Sequence, residues 1–161
     1  MGRWGKAKTE MRTYLVIMDE TEEAEIALRF AARRAIKTSG GLEILVIIPR
    51  PEFVAWGAVQ ATIESEAREH AEQVVRHAID TLAQESPITP RISVKSGDPV
   101  GAIREAFTEN PDIGALVLAA AKIGHPGPLV SHFAGADAGT LPCPVMIVPG
   151  SLTNESLDRL S

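Results

Sequence analysis

The sequence predicts an α/β domain built on a parallel sheet, and three observations predict it. Five short apolar runs recur along the chain. Segments with apolar residues at helical spacing separate them. Gly, Pro, Asn and Ser punctuate the junctions. Runs that are apolar on both faces read as strands covered on both sides, so helices are expected on both faces of the sheet.

Thr13 to Met18 is the first run, and it ends at Asp19. A helix follows with Ala24, Ala27, Leu28, Ala31 and Ala35 on one face. It stops at Thr38-Ser39-Gly40-Gly41, where a glycine is expected to supply the left-handed cap. Leu42 to Ile48 is the second strand, closed by Pro49 and Pro51. Arg50 to Gly57 is a loop whose Phe53 and Trp56 read as packing or lid residues.

A long helix is expected from Val59 to Gln84, with Ile63, Ala67, Ala71, Val74, Ala78 and Leu82 as its apolar stripe. Arg91 to Ser96 is the third strand. Asp98 caps the next helix and Pro99 opens it, Val100, Ile103, Ala106 and Phe107 form its buried stripe, and Asn110-Pro111 ends it. Ile113 to Ala120 is the fourth strand. A Gly/Pro loop leads into a helix expected over Leu129 to Gly139, and Val145 to Val148 is the fifth strand. Residues 1–10 read as a disordered extension, with Met11 as an alternative start. Residues 11–150 read as the domain, and 151–161 as a polar tail with a short helix around Leu157.

Composition narrows the function classes. The 161 residues carry 45% apolar and 23% charged side chains, the balance of a globular domain. Net charge is −5, so a nucleic-acid surface is not expected. No stretch has the length of a membrane-spanning helix, and no secretory signal is read near the start. Cys143 is the one cysteine, so no internal disulfide can form and a cytoplasmic location is expected. Its side chain is expected to be buried at a strand start.

In an open parallel sheet, ligands bind beyond the carboxyl ends of the strands, at the point where strand order reverses. This directs attention to Asp19, to Ile47 and its neighbours, to Ser96-Gly97-Asp98, and to the stretch from Ala119 to His132. Glycines let backbone N–H groups approach a phosphate closely. Gly124 and Gly127 offer this, Ser131 adds a hydroxyl, and Lys122 and the histidines add charge. Pro126 and Pro128 have no N–H to give, so the loop also reads as a rigid connector. Asp19 has a second reading as the cap of the first helix, with Glu22 completing a capping box.

Other chemistry is not supported. There is no Gly-Lys-Ser/Thr of a phosphate-binding P-loop, and no Gly-x-Gly-x-x-Gly follows the first strand. His70 and His77 lie seven apart, a poor metal pair, and read as surface residues. Ser131, His132 and Asp137 are triad residue types, but nothing places a nucleophile elbow there.

Four segments together resemble the universal stress proteins. They are Val16-Ile17-Met18-Asp19, Ser96-Gly97-Asp98-Pro99 with Ile103, Leu116-Val117-Leu118-Ala119, and Leu141 through Pro149. The resemblance implies a Rossmann-like, adenine-nucleotide-hydrolase-like sheet of five parallel strands in the order 3-2-1-4-5. It implies a homodimer through the fifth strand, Val145, Met146, Ile147 and Val148. It implies ATP or another adenine nucleotide, with or without Mg, at the ends of the first and fourth strands. Asp19 would meet the ribose or adenine, and Ile47 the adenine.

The family's phosphate loop runs Gly, two residues, Gly, nine residues, then Gly with Ser or Thr. Here two alignments stand. One takes Gly124 and Gly127 as the first pair and meets Asp137 where the last glycine belongs. The other takes Ala119 and Lys122 as the pair and places Ser131 and His132 at the end. Three functions remain: an adenine-nucleotide-binding stress-response protein, a nucleotide-free dimeric interaction module, and a slow ATP hydrolase for which no base, nucleophile or metal cluster is found.

Overall fold

The computed structural model describes residues 12–49 and 57–161. Five strands form one sheet in the order β3-β2-β1-β4-β5, all parallel. In chain order the elements are β1 (Thr13–Met18), α1 (Glu22–Lys37), β2 (Gly41–Ile48), α2 (Gly57–Glu85), β3 (Arg91–Ser96) and α3 (Pro99–Glu109). They continue with β4 (Ile113–Ala120), α4 (Pro128–Phe133), a 3₁₀ turn (Ala138–Thr140), β5 (Val145–Pro149) and α5 (Asn154–Leu160). The expected extension over 1–10, Met11, and the loop residues Phe53 and Trp56 lie outside the described residues.

Side chains alternate along the inner strands and build a core on each face. Tyr14, Val16 and Met18 of β1 join Ile44 and Val46 of β2 and Val117 of β4 under α1 and α2. Leu15, Leu45, Leu116 and Leu118 face the other way, against Ile103 and Ala106 of α3 and Phe133 of α4. α1 buries five alanines and Leu28, so its backbone lies close to the sheet. The stripe expected on α2 is buried at Ala71, Val74, Ala78 and Leu82. Ile63 and Ala67, nearer the helix start, are only partly covered because they extend past the strand ends.

Local chemistry explains most boundaries. Asp98 caps α3 as expected, its Oδ2 accepting from the Gly101 N–H at 2.8 Å. At α1 the cap is Thr21, whose hydroxyl oxygen accepts from the Ala24 N–H at 3.2 Å. The alternative in which Asp19 caps this helix is therefore excluded. Asp19 instead accepts from the Thr21 N–H at 2.8 Å and from the Thr21 hydroxyl at 2.5 Å.

The end of α1 also departs from expectation. Ser39, with φ of 53°, takes the left-handed position expected of a glycine. Gly40 serves a different need, since a side chain there would strike the Arg12 carbonyl.

The expected helix from Leu129 to Gly139 is cut to Pro128–Phe133. A side chain at Gly135 would strike the Ser131 carbonyl, and the chain turns back there, with the Asp137 N–H donating to the His132 carbonyl at 3.4 Å. The segment expected as a polar tail contains α5, and its Leu157 is fully buried in the α1-side core. Arg33 pairs with Asp158 at 2.6 Å, and the Lys37 ammonium donates to the Asp158 and Ser161 carbonyls. Cys143, expected to be buried, is half-buried beside the α3-side core.

Candidate functional site: a cleft at the strand ends

The chain leaves β1 for β2 on one side, while β4 lies on the other. The crevice at this reversal opens into a cleft of about 1010 Å³. Ile17, Met18, Val46 and Ile47 form its floor, and Ile63, Ala67 and Val74 of α2 form one wall. Pro99 and Val100 at the start of α3, with Leu129 and His132 of α4, close the opposite side. The lining is mainly apolar, with polar groups confined to a few positions, as in small-molecule sites.

Those polar groups are mostly acidic. Asp19, Glu20, Glu66 and Asp98 line the cleft with His70 and His132, and no lysine or arginine is among the described lining residues. Asp19 is fixed by its two bonds to Thr21. Glu20 and His70 meet at 2.6 Å and link the β1–α1 turn to α2.

His132 is oriented from behind. Its Nε2 meets Asp137 Oδ2 at 2.6 Å, and Arg104 on α3 donates to the same oxygen at 2.6 Å. Hydrogen bonds from Arg104, and then from His132, hold the Asp137 carboxyl below the usual aspartate range. An ionised Asp137 places the His132 proton on Nε2, so a neutral ring has only Nδ1 left as an acceptor.

The loop after β4 is closed on itself. Gly124 and Gly127 have φ of 77° and 116°, which suits glycine. The Gly127 N–H donates to His125 Nδ1 at 3.2 Å, and His125 Nε2 lies 3.3 Å from the Ser131 hydroxyl. The Ala121 N–H donates to the Pro126 carbonyl at 3.1 Å. Two groups expected to receive phosphate thus face an imidazole.

Of the residues singled out in the sequence, Asp19, Ile47, Asp98 and His132 line the cleft together. Ala119 packs against the α1-side core beside β5, while Lys122, Gly124 and Gly127 on the loop and Ser131 on α4 stand outside the cleft lining. Sequence reasoning missed Glu20, Glu66 and His70 as cleft residues, and missed Arg104 behind His132. His70 was expected on the surface; it is exposed, yet it lines the mouth. Glu66 and His70 are four apart on α2, a spacing that puts both on one helix face.

Among the described residues no group of three or more His, Cys, Asp or Glu could hold a metal ion. Among them, too, no helix is long and apolar enough to cross a membrane.

The geometry defines a class: an open, all-parallel α/β sheet with a ligand-sized crevice at its topological switch point. The model of the universal stress protein family matches residues 11–149, and the chain belongs to that family. The fold is similar to UspA from Lactobacillus plantarum, with a TM-score of 0.68 at 18% identity, covering 85% of this chain and 97% of that one. It is similar to a universal stress protein solved in complex with cAMP, with a TM-score of 0.61 at 20% identity, covering 89% and 100%. A family member from Arabidopsis thaliana with AMP bound gives a TM-score of 0.57 at 12% identity, covering 86% and 91%. No curated protein matches the sequence.

Proposed function

We propose that the protein is a cytoplasmic stress-response regulator that holds an adenine nucleotide in the cleft at the ends of β1 and β4. The observation that carries this reading is the apolar cleft with Asp19 fixed at its edge. The adenine would lie against Ile17 and Ile47, and the Asp19 carboxylate would accept from a ribose hydroxyl. His132, oriented by Asp137, supplies a polar group on the opposite wall. Structural relatives with cAMP and AMP support the ligand class.

The test is isothermal titration with adenosine, AMP and ATP, with and without Mg²⁺. Saturable heat with any of them supports the reading. No heat with millimolar ligand overturns it.

A second reading, a nucleotide-free dimeric module, is favoured by two observations. His125 occupies the Gly127 N–H, and β5 is an edge strand whose Ile147 is 41% exposed. It predicts an empty protein that dimerises through Val145, Met146, Ile147 and Val148. Sedimentation of the wild type and of Ile147→Lys tests it: a wild-type monomer sinks this reading.

A further inference from the structure

The cleft's walls and its rim favour different parts of a nucleotide. The floor suits a planar base, and Asp19 suits a sugar hydroxyl. A phosphate chain finds little to bind. Asp19, Glu20, Glu66 and Asp98 bring four carboxylates to the lining, with no lysine or arginine among the described lining residues.

Two imidazoles remain, and each already faces a carboxylate. His70 meets Glu20 at 2.6 Å and His132 meets Asp137 at 2.6 Å. A protonated His70 and Glu20 make a pair without net charge, and with His132 neutral so do Arg104 and Asp137. The Arg104 guanidinium behind this wall is paired with Asp137.

An independent observation comes from the loop after β4. Its Gly127 N–H donates to Nδ1 of His125, so the ring proton sits on Nε2 and points to the Ser131 oxygen. A phosphate seeking the Gly127 N–H must first displace the imidazole. Lys122 stands on this loop but not in the cleft lining.

We propose that this cleft ranks adenine ligands by their lack of phosphate: adenosine binds best, AMP next and ATP least. This rests on the adenine reading above. Base and sugar supply the affinity, and each phosphate brings negative charge toward a rim of carboxylates in a partly desolvated crevice. The protein then responds to the dephosphorylated end of the adenylate series, which rises when ATP is consumed.

The experiment is competition of adenosine, AMP and ATP for the full-length protein, without metal, at low and high salt. The expected dissociation constants rise in that order, with ATP at least about tenfold weaker than adenosine. Raising the salt screens the rim and strengthens ATP binding, leaving adenosine unchanged. Glu66→Gln, a surface change on α2, narrows the ATP-to-adenosine ratio by about threefold.

ATP binding tighter than adenosine, or a ratio that neither salt nor Glu66→Gln moves, overturns the ranking while leaving an adenine site in place. Failure of all three ligands to bind overturns the adenine reading and the ranking with it.

Discussion

Arg104 on α3 reaches the chain beyond α4 and donates to Asp137 Oδ2 at 2.6 Å. That contact ties two elements on the same side of the sheet, and it fixes the oxygen that orients His132. The wall of the cleft thus depends on a carboxylate outside the cleft lining.

Asp137 makes this link sensitive to acid. Its carboxyl is depressed from the ordinary 3.8, by Arg104 first and His132 second. A depressed folded-state value means that the link stabilises the fold fully above the ordinary value and is lost as pH falls through the depressed one. The stability difference between wild type and Asp137→Asn should therefore be constant near neutrality and vanish in strong acid. Urea unfolding at a series of pH values checks this; a difference that persists in strong acid contradicts it.

Asp19 and Thr21 divide ligand binding and helix capping unequally. Thr21→Ala removes the α1 cap and should cost about 1 kcal/mol of stability; it also removes one of the two bonds that fix Asp19, so ligand affinity should fall, but by less than on loss of Asp19 itself. Asp19→Ala should weaken adenosine binding by about tenfold, the loss of one hydrogen bond to a charged acceptor. Thermal unfolding and titration of both variants would show the capping loss at Thr21 and the larger affinity loss at Asp19.

Leu157 tests whether residues after β5 belong to the domain. The side chain is fully buried among α1-side residues. Leu157→Ala should cost about 2–5 kcal/mol, the range for emptying a buried leucine site. A change below about 0.5 kcal/mol in denaturant unfolding would mean that α5 is not docked.

Glu43 of β2 is buried, and its one ion-pair partner among the described residues is Arg91 of β3, at 3.0 Å. Desolvation raises the Glu43 carboxyl above 4.5, opposed by Arg91 and by a hydrogen bond involving Asn110. A raised folded-state value means that this group favours folding most below the ordinary value and loses that contribution as pH rises through the folded one. Glu43→Gln should remove this slope from the stability profile between mildly acidic and neutral pH. Arg91→Met, which leaves the carboxylate without its cation, should destabilise by about 1–3 kcal/mol at neutral pH.

The sheet was legible because its signals are local. Apolar runs such as Leu15 to Met18 and stops such as Gly97-Asp98-Pro99 carry their meaning in adjacent residues. The cleft was legible where it touches strand ends and the segments that follow them, as at Asp19, Ile47, Asp98 and His132. Helical periodicity shows which side of α2 faces the sheet, but not how far the helix overhangs it. Glu66 and His70 were invisible for that reason.

The Arg104–Asp137 pair joins residues 33 apart, and composition gives no hint of it. The glycine count misled at two places. At the end of α1 a serine takes the left-handed turn, and beyond β4 the loop's Gly127 N–H turns inward to a histidine.

The central position of β1 has a consequence for synthesis on the ribosome. Val16 lies beside Val117, and five elements separate their strands along the chain. A growing chain can pair β1 with β2 early, but the other edge of β1 stays open until β4 has emerged. For that interval a buried apolar strand presents unpaired backbone groups, a template for other chains. Nascent fragments that end within α3 should be the most prone to self-association, and completing β4 should end that vulnerability.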